Sequence, residues 1–158
     1  MLINRDRAVY LSFMSMDFPV WNIIEATASL YQKDRERFHL LLEQQNLPIS
    51  TSEGDRHKFN HGLFWIEISP YRVILTMQGN NNLSYRHFWE KGIYGVSRYC
   101  SNNNVDEPSK SLRFSNFTRY LKVEQDVDNF PKSVRIEYEM WSEKDRLGSY
   151  FLHLDIDR

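Results

Sequence analysis

The sequence predicts an α+β fold, in which one long N-terminal helix packs on one face of an antiparallel sheet of about five to six strands. Three observations lead to this prediction. The most apolar run, at 63–77, is rich in β-branched and aromatic residues, and a prolyl turn at 69–72 divides it. Apolar residues between 20 and 42 recur at helical spacing. Near the C-terminus, apolar and polar residues alternate, as they do in strands.

The N-terminal third predicts a short strand followed by the helix. Residues 8–14 alternate weakly between apolar and polar side chains, which favours a strand. Pro19 suits the first turn of a helix, and Asp17 lies where the helix dipole favours an anion. The apolar positions of the predicted helix are Val20, Ile24, Ala28, Tyr31, Phe38 and Leu42. The polar run at 32–37 interrupts this stripe, so there is either one helix or two; we favour one long helix, ending near Pro48.

The middle of the chain predicts a central hairpin between polar loops. Its two antiparallel strands are expected at 63–68 and 72–78, and both faces of the first are mostly apolar, as in a covered central strand. A short helix is expected at 83–90, while 93–100 is left open between helix and strand. The loops expected around these elements are 49–60, 79–82 and 101–111.

The C-terminal third predicts an antiparallel meander. A strand is expected at 117–125, although the apolar residues of 112–124 would also suit a helix. The clearest strand is 134–141, and a charged connection at 143–148 joins it to a last alternating segment at 150–157. One face of this final hairpin is apolar and the other is charged, which is typical of a sheet with its back to a core.

The composition predicts one domain, residues 1–158, in a reducing compartment. A chain of 158 residues is long enough for a core that needs no metal or disulfide. The net charge of −1 provides no basic field, so neither nucleic acid nor a membrane surface is an expected partner. The single cysteine, Cys100, excludes an internal disulfide framework. We therefore expect a cytoplasmic protein, and the sequence leaves its oligomeric state open.

Candidate catalytic or metal-binding residues are few. His57 and His61 lie four apart, but the surrounding Gly and Asn residues argue against a helix, and the H-E-x-x-H pattern is absent. Cys100 lacks the local context of an activated nucleophile, and the alternating acids of 124–128 lack the spacing of a calcium loop. We predict no cofactor and no metal. The enzyme alternative would need a pocket lined by His57, His61, His87 or Cys100.

The sequence favours a binding protein over an enzyme. It contains no catalytic constellation and no phosphate-binding loop, whereas aromatic residues make up 15% of the chain and one sheet face is charged. In this general character the chain resembles the immunity proteins that neutralise bacterial toxins, and phage-encoded inhibitors. The resemblance implies a protein partner, such as a toxin or an enzyme, whose active site is occluded.

The surface expected to contact that partner combines charged and aromatic side chains, because charges steer an encounter and aromatic rings anchor it. The candidate contact residues are Arg135, Glu137, Glu139, Trp141, His153, Asp155 and Trp89. Two alternatives stay open: a small-ligand-binding protein, or a metal-dependent hydrolytic enzyme, with a pocket between helix and sheet.

Overall fold

Ten β-strands, each paired with its neighbours in an antiparallel arrangement, close into a barrel in the computed structural model. The model describes residues 3–17, 21–44, 62–79, 83–101 and 110–157, and within these residues there is no helix. The strands are β1 (Ile3–Ser15), β2 (Trp21–Gln32), β3 (Phe38–Gln44), β4 (Gly62–Ile68), β5 (Arg72–Gly79), β6 (Leu83–Glu90), β7 (Tyr94–Ser101), β8 (Lys110–Gln125), β9 (Pro131–Ser142) and β10 (Asp145–Ile156). Each strand pairs with the next along the chain, and β10 returns to pair with β1. The predicted α+β fold with five to six strands is therefore wrong.

The segment predicted as one long helix is the β2–β3 hairpin. Spacings of two and four place residues on one face of a strand, and a spacing of four also fits a helix. The side chains of Ile24, Ala28 and Leu30 on β2, and of Phe38 and Leu40 on β3, all point into the core. Four residues of the predicted stripe are thus inward residues of two strands: Ile24, Ala28, Phe38 and Leu42. Tyr31 instead lies on the outer face of β2, and Val20 is outside the described residues.

The polar run that interrupts this stripe forms the turn between β2 and β3. The Asp34 Oδ1 atom accepts hydrogen bonds from the backbone N–H groups of Glu36 and Arg37, at 3.1 and 3.0 Å. The Asp34 Oδ2 atom accepts a bond of 2.6 Å from the Arg37 Nε. An aspartate that binds the backbone two or three residues ahead stabilises a turn, so the chain reverses here.

The helix predicted at 83–90 is also wrong, because this segment is strand β6. Tyr85, His87 and Trp89 alternate along it and face the interior, which is the period of a strand. The segment 93–100, for which the sequence did not decide between helix and strand, forms most of β7. Its Gly95 lies so close to β6 that a Cβ there would overlap the carbonyl oxygen of Phe88. Gly95 therefore marks a close approach of two strands.

The central hairpin is confirmed, with β4 and β5 on either side of the turn at 69–71. The Ser69 backbone N–H and hydroxyl both donate to the Arg72 carbonyl oxygen, at 3.0 and 2.9 Å. The strand predicted at 8–14 lies within β1, and 112–124 is β8, a strand and not a helix. The last hairpin, β9 and β10, is confirmed. The loop expected at 49–60 lies outside the described residues.

The barrel interior differs between its two ends. At the end that carries the 33–37 turn, the lumen is filled by buried apolar side chains, including Ile68 and Trp89, and the rings of Phe38 and Phe130 lie 5.5 Å apart. At the opposite end, where β1 ends and β2 begins, the inward side chains are partly exposed aromatic residues. The packed end closes the barrel, and the other end leaves room for a pocket.

Candidate functional site

A pocket of about 240 Å³ lies in the less filled end of the barrel. Five strands and the first part of a sixth contribute to its wall, and the residues they supply are mostly aromatic. The lining residues are Phe13, Met14, Ser15, Asn22, Tyr85, His87, Tyr99, Tyr138 and Tyr150. We refer to this cavity as the tyrosine–histidine pocket.

Strand register brings the four tyrosines together in two pairs. Tyr85 on β6 lies directly opposite Tyr99 on β7, and Tyr138 on β9 lies directly opposite Tyr150 on β10. Residues opposite each other in an antiparallel pair have their side chains in contact. The ring centroids are 5.8 Å apart in the first pair and 5.5 Å in the second, whose planes are within 25° of parallel. Both pairs therefore present ring faces and hydroxyl groups around one space.

His87 lies between the two pairs. Its ring centroid is 5.4 Å from that of Tyr99 and 6.2 Å from that of Tyr138. On the side of the core it stacks on Trp89, with the centroids 5.0 Å apart and the planes 4° from parallel. The imidazole is thus the boundary between the apolar core and the polar wall of the pocket.

A chain of buried hydrogen bonds orients this imidazole. The Asn116 Nδ2 donates to the Ser97 Oγ at 2.8 Å, and the Ser97 Oγ is 2.7 Å from the His87 Nδ1. The His87 Nε2 is 3.3 Å from the Tyr99 hydroxyl oxygen. Ser97 and Asn116 are fully buried. The Asn116 Oδ1 has no hydrogen-bond partner among the described residues, but the bonds from Asn116 Nδ2 through Ser97 hold His87 in one position.

The pocket wall is uncharged near neutral pH. Burial lowers the pKa of His87 to about 4, so the imidazole stays neutral. Burial also raises the pKa of Tyr85, Tyr99 and Tyr138, so their phenols stay protonated. Among the residues that the structure describes, no acidic or basic side chain lines the pocket besides His87. The site can therefore stack on a ligand and donate hydrogen bonds to it.

A metal centre has no support in the described part of the chain. Among those residues, no group of three or more His, Cys, Asp and Glu side chains is placed to hold a metal ion. Asp126, one of the alternating acids, instead accepts hydrogen bonds from the backbone N–H groups of Asp128 and Phe130, at 2.9 and 3.0 Å. It shapes the β8–β9 turn. The described residues likewise form no helix that could cross a membrane.

A second groove, of about 390 Å³, lies on the outer wall across β2, β3 and β4. Its most exposed ring is Trp65, at 49%, whose Nε1 donates to the His39 Nδ1 at 2.8 Å. The His39 Nε2 faces the Glu67 carboxylate at 3.4 Å. Burial lowers the pKa of His39, which keeps its Nδ1 available as an acceptor. The groove is an external, apolar surface rather than an enclosed site.

Part of the predicted contact surface forms a strip on the outer face of β9 and β10. Arg135 lies opposite His153 in the register, and the His153 Nε2 is 3.0 Å from the Asp155 Oδ1. Glu137 follows on the same face, opposite Phe151. The Arg135 side chain is exposed, and the side chains of Glu137, His153 and Asp155 are half-buried.

Of the other three predicted contact residues, Glu139 and Trp141 continue along the same outer face of β9, whereas Trp89 does not reach that face. The Glu139 carboxylate is buried under Arg119 and Arg146, and it accepts a bond of 3.2 Å from the Trp141 Nε1. Trp89 lies inside the barrel and is fully buried, so its ring is separated from the outer face by the wall itself.

The residues of the enzyme alternative do not converge in the described structure. His87 lines the tyrosine–histidine pocket, but Cys100 belongs to the opposite face of β7 from Tyr99, where its thiol lies 3.8 Å from the Ser111 hydroxyl. His57 and His61 lie outside the described residues. The expected pocket between helix and sheet is wrong in position, since the cavity lies inside a barrel.

Sequence reasoning missed the tyrosines. The alternation of residues 134–141 predicts Tyr138 only as one more inward apolar residue, and that of 150–157 does the same for Tyr150. Tyr85 is near the start of β6 and Tyr99 near the end of β7, whereas Tyr138 and Tyr150 lie nearer the middle of β9 and β10. Only the pairing of the strands shows that these positions coincide.

Comparison with known proteins gives information about the fold but not about the function. No protein-family model matches the chain, and no curated protein matches it. Among solved structures, the crystal structure of the ywiB protein from Bacillus subtilis superposes with a TM-score of 0.58, at 12% sequence identity, over 97% of this chain and 89% of that one. The two chains share a fold. At this level of identity the likeness concerns architecture alone, so the function has to be argued from the site.

Proposed function

We propose that this protein binds a small molecule in the tyrosine–histidine pocket. The observation that carries the proposal is the convergence of four tyrosines on one cavity: Tyr85, Tyr99, Tyr138 and Tyr150 line it together with His87. Concave, mostly aromatic pockets with a few convergent polar groups are the usual form of a ligand site.

The size of the cavity supports a small ligand. A protein cavity of roughly 150 Å³ is enough to hold benzene. The cavity here is about 240 Å³, so a ligand of two fused rings would fit. The open end of a closed barrel is also a recurrent position for such sites. The single cysteine supports a reducing, cytoplasmic location as part of the proposal.

The test is a ligand-observed NMR screen of fragments against the whole chain, with one variant that blocks the cavity. Asn22 is an exposed lining residue at the start of β2, and Asn22→Trp should fill the mouth of the pocket. Thr27→Trp, on the outer face of the same strand, is the matched control. Fragments that bind the wild type and Thr27→Trp but not Asn22→Trp support the proposal. A screen in which no fragment shows this pattern rejects it.

A second candidate function is the occlusion of a protein partner through the outer strip of β9 and β10. The observation in its favour is that Arg135, Glu137, His153 and Asp155 form one contiguous charged surface. Charge reversal of Glu137 together with Asp155 should weaken the binding of a partner captured by the wild-type protein, while the melting temperature stays the same. Unchanged affinity of the double variant would reject this surface.

A further inference from the structure

We infer that the tyrosine–histidine pocket selects an uncharged, planar ligand that carries a hydrogen-bond acceptor, and that Tyr99 donates to this acceptor. The inference rests on the small-molecule function proposed above and names the class of its ligand. It follows from the direction of the buried hydrogen bonds behind the pocket, the absence of charge in its wall, and the arrangement of its rings.

The hydrogen bonds run in one direction, from the core to the pocket. The Ser97 Oγ accepts from the Asn116 Nδ2, and the only other contact of that hydroxyl among the described residues is the His87 Nδ1. A serine hydroxyl has one hydrogen to donate, so it donates to Nδ1. A neutral imidazole carries one proton, which is therefore on Nε2.

This tautomer determines the role of Tyr99. The His87 Nε2–H donates to the Tyr99 hydroxyl oxygen, 3.3 Å away, so the hydrogen of that hydroxyl is free to point elsewhere. Tyr99 lines the pocket, so this hydrogen can be donated to a ligand there. A ligand with an exposed carbonyl or ring nitrogen would accept it, whereas a ligand with only N–H groups would not.

The wall also discriminates by charge and shape. A carboxylate or an ammonium ion would enter without an opposite charge to meet it, since the described lining of the cavity has no acidic or basic side chain besides the neutral His87. Burying an unpaired ion is far costlier than burying a neutral polar group. The nearly parallel rings of Tyr138 and Tyr150 offer a flat face to a planar ligand.

Three bicyclic probes test the inference by titration against the wild-type chain. Coumarin is uncharged and carries only acceptors, indole is uncharged and carries only a donor, and 2-naphthoate is an anion. We expect coumarin to bind roughly tenfold or more tightly than either of the others, the effect of about one hydrogen bond or more. Tyr99→Phe should lose most of this preference. Tyr94→Phe, at an exposed tyrosine of the same strand, should keep it.

The outcomes separate this inference from the function on which it rests. If indole or 2-naphthoate binds more tightly than coumarin, and Asn22→Trp blocks that binding, the proposed ligand class is overturned. The pocket itself would remain a binding site. If Asn22→Trp blocks the binding of none of the probes or fragments, the function itself is rejected. The tautomer has its own readout: long-range ¹H–¹⁵N NMR of the imidazole should show the His87 proton on Nε2. A proton on Nδ1 would overturn the assignment of Tyr99 as donor.

Discussion

His87 and Trp89 project from the same face of β6 and stack with their rings 5.0 Å apart and 4° from parallel. One ring borders the pocket, and the other is fully buried in the filled end of the barrel. The stack therefore connects the site to the core, so substitutions there should change both binding and stability.

The burial of His87 predicts that stability falls in mild acid. Its pKa is about 4 in the folded chain, against 6.5 for an exposed histidine, because burial disfavours the charged form. The unfolded chain binds this proton at a higher pH than the folded chain does. The contribution of neutral, buried His87 to the free energy of unfolding is therefore complete above about pH 6.5. It is lost progressively as the pH falls toward 4, and the total loss is about 3 kcal/mol.

The measurement is the free energy of unfolding in urea at several pH values between 4.5 and 7.5. His87→Gln should remove most of the pH dependence, because its side chain does not titrate. His39→Gln, at a less buried histidine on the outer wall, should retain most of it. If the free energy of unfolding depends on pH equally in the wild type and in His87→Gln, the prediction is contradicted.

The two tryptophans Trp89 and Trp65 should differ sharply in their contribution to stability. Trp89→Ala removes a fully buried ring and should cost about 3–5 kcal/mol in the free energy of unfolding. Trp65 is 49% exposed on the outer wall, and Trp65→Ala should cost less than about 1.5 kcal/mol. Far-ultraviolet circular dichroism during urea unfolding gives both values. Similar losses for the two variants would argue against this placement of Trp89.

Glu139 should stabilise the barrel from outside the lumen. Its carboxylate is buried between Arg119 and Arg146 and accepts from the Trp141 indole. Glu139→Gln keeps an acceptor for Trp141 but removes the charge that both arginines pair with, so we expect a loss of about 1–3 kcal/mol. Glu137→Gln, two residues earlier on the same face, should cost about 0.5 kcal/mol or less. Chemical unfolding distinguishes the two, and equal losses would speak against the buried network.

Gly95 should be intolerant of a side chain. A Cβ there would overlap the Phe88 carbonyl oxygen, a backbone atom that cannot move without shifting β6. Gly95→Ala should therefore cost about 1–3 kcal/mol or prevent folding. Gly148→Ala is the control, since its Cβ would overlap no backbone atom and would approach only side-chain atoms of Tyr150 and Asp17, at 3.1 to 3.3 Å. A Gly95→Ala variant as stable as the wild type would contradict the close approach.

The strands at 63–68, 72–78 and 134–141 could be predicted because their composition leaves no competing pattern. The segment from Ile24 to Leu42 could not, because residues four apart share a face in both a helix and a strand. Asp34 was the informative residue: an aspartate that binds the backbone ahead of it marks a turn, and the polar run around it was instead taken for an exposed part of a helix.

The site was harder to predict than the strands, because its members are far apart along the chain. Tyr85 and Tyr150 lie on β6 and β10, and only barrel closure brings them to one cavity. Ser97 and Asn116 look like ordinary polar residues of strands until pairing places both behind His87. A pattern within one strand shows which face is inward, but carries no information about which residues of other strands share that space.

The pairing of β1 with β10 has a consequence during synthesis on the ribosome. Every other pairing joins strands that are neighbours along the chain, so hairpins can form as the chain emerges. Until β10 has left the exit tunnel, however, β1 and the most recently added strand both present unpaired backbone groups, which are templates for aggregation. A nascent chain stalled before Asp145 would thus expose two unpaired strand edges, which are covered only when the last strand of the barrel has been made.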